Sequence, residues 1–122
     1  DDYFSSMGAL KRLVLSGNML TALPPSLCSC AELKQLQLQE NKLDSLPTCA
    51  WPASLETLFL QDNAPLVELP HELTSCKSML RFNVSKLPLS ETSQETAAAV
   101  SKICLSKKGG VYWDMGGRQV NA

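Results

Sequence analysis

The chain predicts an α/β solenoid, with short parallel strands stacked into a sheet on one face and irregular segments closing the other. Two observations carry this expectation. From Leu10 the order Leu10, Leu13, Leu15, Asn18, Leu20, Leu23, Pro24 returns as Leu33, Leu36, Leu38, Asn41, Leu43, Leu46, Pro47, and again as Leu55, Leu58, Leu60, Asn63, Leu66, Leu69, Pro70. The starts lie 23 and 22 residues apart, within the period of stacked repeats. One such unit cannot bury its own apolar face, so neighbouring units must cover one another.

The pattern Leu-x-x-Leu-x-Leu-x-x-Asn-x-Leu-x-x-Leu-Pro resembles the leucine-rich repeat family. Leu23-Pro24, Leu46-Pro47 and Leu69-Pro70 resemble its intracellular, Leu-Pro-containing subclass. The resemblance runs over residues 4–89. It implies a short right-handed horseshoe with a parallel sheet of about four to five strands on the concave face and a C-terminal capping helix. It implies protein recognition more often than catalysis, although fold and function are separable.

Each element follows from its residues. In Leu13-Val14-Leu15 a period of two sends the leucines inward and Val14 outward. Leu36/Leu38, Leu58/Leu60 and Phe82/Val84 are the equivalent inward pairs. Asn18, Asn41 and Asn63 form a structural column just after the strands. A turn there leaves backbone groups facing a dry interior, and a side-chain amide both donates and accepts. Proline then fixes φ and blocks strand pairing.

Counting backward from each start places Leu27 and Cys30, Cys49 and Pro52, and Leu73 and Cys76 on the convex side. The same count reaches Phe4 and Met7, so residues 1–9 read as the convex remnant of an incomplete repeat, truncated or simply preceded by more chain. Repeats occupy 10–89, with starts near 10, 33, 55 and 79. The third carries one extra residue at Ala64-Pro65-Leu66, and the atypical segment before it holds Trp51, which reads as packing between convex segments. Leu87 stands where an asparagine belongs, so the ladder stops.

Residues 90–114 predict a capping helix and a closing strand. Ser90, Thr92 or Ser93 can cap the helix, with Glu91 and Glu95 in its first turns. Ala97, Val100, Ile103 and Cys104 recur at helical spacing, and Lys107, Lys108 and Gly109 suit its end. Val111 and Trp113 should form a fifth strand beside Phe82 and Val84, with Tyr112 turned to the concave side. The tail 115–122, with two glycines and little apolar content, predicts a loose segment.

At 122 residues and a net charge of −1 this is one domain, with scattered cations that argue against a nucleic-acid or membrane surface. Apolar runs are too short to span a bilayer and no leader is visible. The five cysteines are odd in number and phased with the repeat, and no flanking cysteine cluster is present. That pattern predicts reduced thiols and a cytoplasmic setting. Asn83-Val84-Ser85 is a glycosylation sequon that matters only on secretion.

Chemistry finds little purchase. Cys28-x-Cys30 lacks metal spacing and His71 is the single histidine, so no metal or cofactor is expected. Lys107-Lys108-Gly109-Gly110 lacks the spacing of a phosphate loop. Glu40 and Asp62 are stacked carboxylates, but they read as the last exposed positions of adjacent strands rather than an acid–base pair. No enzyme activity is expected.

The concave rows remain. They run Arg12, Gln35, Thr57, Arg81, then Val14, Gln37, Phe59, Asn83, then Ser16, Gln39, Gln61, Ser85, and then Gly17, Glu40, Asp62, Lys86. Phe59 is the one large apolar residue among amides, a pattern typical of an interface anchor with a polar rim. The expected function is a protein-binding module, a scaffold or signalling element. It would hold its partner through Arg12, Val14, Gln35, Gln37, Gln39, Glu40, Thr57, Phe59, Gln61, Asp62, Arg81 and Asn83. Two alternatives stand beside it: the recognition part of a larger kinase, GTPase, phosphatase or ubiquitin ligase, and a structural subunit of a large assembly.

Overall fold

A computed structural model describes residues 8–107, 110–115 and 118–121, with side chains for 8–107. Strands β1 (Arg12–Val14), β2 (Gln35–Gln37), β3 (Thr57–Phe59) and β4 (Arg81–Asn83) are each three residues long and pair in parallel, one from each repeat. Helix α1 (Glu91–Ser106) then leads to β5 (Gly110–Met115), parallel to β4, and β6 (Arg118–Asn121) closes the sheet antiparallel to β5. Spatial order follows chain order throughout.

Inward leucines form one continuous core. Leu36, Leu38, Leu58 and Leu60 are fully buried beneath the sheet, and Leu27, Leu43, Leu66 and Leu73 are fully buried under the convex side. Each such side chain contributes about 1.5–3 kcal/mol on leaving water. Packing thins toward β1, where Leu10, Leu13, Leu15 and Leu20 are only partly buried. Phe4 and Met7 lie outside the described residues.

The asparagine column satisfies the turns. Asn63 is fully buried; its Nδ2 donates to the carbonyls of Leu38 (3.1 Å) and Leu60 (2.8 Å), and its Oδ1 accepts from the amide of Leu43 (3.0 Å). Asn41 does the same one repeat earlier. Its Nδ2 donates to Leu15 and Leu38 carbonyls, both at 2.9 Å, and its Oδ1 accepts from the amides of Asn18 (2.9 Å) and Leu20 (3.0 Å). Each amide therefore ties its own turn to the one before. Asn18 is exposed, and its Nδ2 donates within its own turn, to Leu15 (2.8 Å) and Ser16 (3.2 Å) carbonyls.

On the convex side, 3-10 turns form at Pro25–Ser29 and His71–Ser75. No such turn forms at 48–52. There Trp51 is buried instead and its Nε1 donates to the carbonyl of Pro47, within its own segment, at 2.9 Å.

The expectation of uniformly reduced cysteines does not hold. Cys28 and Cys49 form a disulfide with their Cα atoms 6.4 Å apart. Cys28 sits beside a repeat-phased position and Cys49 on one, so stacking brings the two convex segments face to face. Cys30, Cys76 and Cys104 are buried thiols. Burial pushes the Cys76 and Cys104 thiols up to about 11, which keeps them protonated and unreactive at neutral pH.

The ladder ends as the leucine at position 87 predicts, and a different device takes over. Ser90 caps α1, its Oγ accepting from the amide of Ser93 at 3.2 Å. The Ser90 and Ser93 hydroxyls both donate to Glu68, at 2.7 and 2.8 Å, and the Ser93 Oγ accepts from the amide of Leu69. These two hydroxyl bonds hold the Glu68 carboxyl below its ordinary pKa. Ala97, Val100 and Cys104 face the core as their spacing predicts.

Val111 falls beside Phe82 and Tyr112 beside Asn83, the expected closing register; the side chains of Val111, Tyr112 and Trp113 lie outside the described residues, as does Gly109. The tail is not loose: β6 pairs with β5 from Tyr112↔Asn121 to Met115↔Arg118. An uncovered β5 would present a row of open backbone groups, and a returning strand pairs them. Two glycines between the strands favour such a reversal in the sequence.

Two outcomes test this account. Asn63→Ala leaves an amide and two carbonyls without partners and should lower stability by about 2–4 kcal/mol, against roughly 1 kcal/mol or less for Asn18→Ala. Urea midpoints would show it, and equal losses at the two positions would refute a shared ladder. The Cys28→Ser/Cys49→Ser protein should lose about 3 kcal/mol relative to the oxidised parent, from the entropy of the loop the bond closes. The gap should vanish when both are measured under dithiothreitol; a gap that persists would assign it to lost packing instead.

Candidate functional site

Strand pairing aligns the outward residues into the rows read from the sequence. Arg12, Gln35, Thr57 and Arg81 are in register, and so are Val14, Gln37, Phe59 and Asn83. Because every inward neighbour is a core side chain, the outward set has no choice but to face the concave side.

The surface is uneven. Arg12 and Arg81 are exposed, Val14 is 45% exposed, and Gln35, Gln37, Phe59 and Asn83 are half-buried. Thr57 is only 5% exposed. Its short side chain lies between Gln35 and Arg81 in register, so it offers a partner almost nothing, and its place among contact residues is corrected. Asn83 uses its Oδ1 internally, accepting from the Ser85 amide (3.0 Å) and the Ser85 hydroxyl.

In the third row the Gln39 Nε2 reaches the Gln37 Oε1 at 3.4 Å, a long contact. The Oε1 atoms of Gln39 and Gln61 are covered and have no hydrogen-bond partner among the described residues.

Glu40 and Asp62 do not end the strands, as their sequence positions suggested. They lie in the turns beyond, at φ of 61° and 63°, in one column with Gly17 (72°) and Lys86 (63°). The chain must reverse there so that the next residue, asparagine in the first three repeats, can enter the core. This left-handed conformation costs a non-glycine residue roughly 1–2 kcal/mol. The column is thus set by the turn, and its carboxylates stand at the rim rather than on the sheet. Asp62 and Lys86 approach to 4.0 Å, an exposed pair that contributes little.

Sequence reasoning missed one feature. A groove of about 450 Å³ opens beside these turns, lined by Met19, Glu40, Lys42, Asp62 and Pro65 among others. Met19 is 70% exposed at a φ of 56°. The groove draws on residues from three repeats, and no local pattern announces it. A smaller hollow of about 130 Å³ lies between the second 3-10 turn and α1, with His71, Thr74 and Glu95 in its lining. Among the described residues no group of three or more His, Cys, Asp or Glu is placed to hold a metal ion. Likewise no described helix is long and apolar enough to cross a membrane.

A sequence model described as Leucine Rich Repeat matches residues 9–30, which take in β1, the first asparagine turn and the first 3-10 turn. No solved structure matches the chain. The matched unit recurs along the sheet, with β1, β2 and β3 in register and Asn41 and Asn63 making equivalent bonds. The match over residues 9–30 and this recurrence support a leucine-rich repeat solenoid.

Proposed function

We propose that this chain is a protein-interaction module that holds its partner on the concave sheet, around Phe59. Leucine-rich repeats generally serve to bind proteins; the finer assignment to this face rests on one observation. Phe59 stands half-buried on β3, in register between Gln37 and Asn83, where every other large outward position of β1 to β4 is polar or charged except Val14 on β1. A solvated sheet face gains only a modest cross-strand contact from a phenyl ring at that site. A partner gains a rigid apolar contact ringed by amides able to donate and accept, the arrangement of an interface anchor. Arg12, Gln35, Gln39, Gln61, Asp62 and Arg81 complete the surround.

Titration calorimetry with a partner recovered by affinity capture tests this reading. Phe59→Ala should weaken binding by at least about 30-fold, the scale of a lost anchor. Val67→Ala, at an exposed position away from the sheet, should change it little. Unchanged affinity in the Phe59→Ala protein would move the interface off the concave face.

A further inference from the structure

The two rims of the sheet carry different charge. At the leading rim, where the chain enters each strand, Lys11 and Lys34 stand one residue ahead of Arg12 and Gln35, with Glu56 and Leu80 in the same row. Backbone bonds stack this row: the amides of Lys34 and Gln35 donate to the Lys11 carbonyl (2.8 and 3.0 Å), those of Glu56 and Thr57 to the Lys34 carbonyl (2.8 and 2.9 Å), and those of Leu80 and Arg81 to the Glu56 carbonyl (2.8 and 2.9 Å). Lys11, Arg12, Lys34 and Arg81 are exposed, and only the half-buried Glu56 opposes them. Among the described residues none of these cations has a carboxylate within ion-pair distance; the ion pair that does form, Lys86 with Asp62, is on the opposite rim. Glu32 and Lys77, in the turns before the strands, offset each other.

The trailing rim holds Gly17, Glu40, Asp62 and Lys86. Lys86 neutralises Asp62 there, which leaves Glu40 to give that rim its sign. The concave face is therefore polar across its strands, cationic on the leading side and weakly anionic on the trailing side. Between the rims lie the amide rows and Phe59.

We infer that the leading rim receives an acidic stretch of the partner protein, so that the partner lies with its carboxylates against Lys11, Arg12, Lys34 and Arg81 and its apolar contact on Phe59. This rests on the concave face being the binding surface and adds the chemistry of what binds there. Unpaired, exposed cations bordering a desolvated contact steer an anionic segment and suppress a cationic one. The patch fits a peptide better than a long polyanion. From β1 to β4 it spans only about 14 Å at ordinary strand spacing. Beyond it the surface carries both signs, and the whole chain carries a net charge of −1, so the described residues offer no extended cationic track for a nucleic-acid backbone to follow.

Fluorescence anisotropy with the whole chain tests this. The probes are labelled peptides of about 12 residues, long enough to cross the four strands. One is a Glu/Asp-rich peptide with a single central tyrosine; the others are its Lys-rich and Gln/Ser-rich counterparts and a single-stranded oligothymidine. The acidic peptide should bind at least about tenfold tighter than the basic one, and the preference should shrink as salt rises from about 50 to about 300 mM. Lys34→Glu/Arg81→Glu should abolish the preference, and the milder Arg81→Gln should reduce it, while Lys102→Glu on α1 leaves it intact. Circular dichroism would verify that each variant remains folded. Equal affinity for acidic and basic peptides, no binding of the acidic one, full retention in the reversed variant, or tighter binding of the oligonucleotide would each overturn the inference. The concave reading is judged separately by Phe59→Ala: loss there with retention in the rim variants removes the acidic stretch and keeps the face, and loss in the rim variants with retention there does the reverse.

Discussion

Everything in this chain depends on how three tight turns keep their backbone groups satisfied in a dry interior. Each strand is only three residues long before the chain reverses toward the convex side. The reversal buries carbonyls and amides that neither water nor a ladder of strands can reach. A buried asparagine side chain at positions 41 and 63 bonds them, and it does so across repeats as well as within them. Stacking and turning are thereby one interaction. The penultimate turn residue takes a positive φ to admit the asparagine, even where that residue is Glu40.

The ladder also explains where the repeat ends. With leucine at position 87 there is no amide to serve a further turn, and the chain changes its means of closure. A hydroxyl cap at Ser90 and a carboxylate at Glu68, bound by two serines, dock the start of α1 onto the third repeat. The helix then covers the last inward residues, and β5 with β6 finishes the sheet edge. At the other end the inward leucines of β1 are only partly buried and Asn18 is exposed, so the same device is weakest there.

The scaffold commits most of its positions to packing and turning. The core positions are committed to leucine and the turn positions to asparagine or to a left-handed residue. Among the described residues the buried Cys76 and Cys104 thiols are held protonated, and Glu40 and Asp62 stand in the rim column set by the turns. The outward rows of β1 to β4 carry amides, cations with no carboxylate partner among the described residues, and one phenyl ring.

From the sequence alone, the period and phase of Leu13/Leu15, Leu36/Leu38 and Leu58/Leu60 determined which residues point inward, which form rows and where the asparagines stand. These are local consequences of a period of two inside a period of 22 or 23 residues. A helix cap at Ser90, Thr92 or Ser93 and the pairing of Val111 beside Phe82 were also legible, and the structure selected Ser90 among the three caps. Only the tertiary structure decided the rest. It joined Cys28 to Cys49 by facing two convex segments, and it folded β6 back onto an edge that would otherwise be open. It buried Thr57 between longer neighbours on adjacent strands and gathered Met19, Lys42 and Pro65 into one groove. Each of these depends on contacts between residues that share no short-range pattern, because stacking sets them side by side.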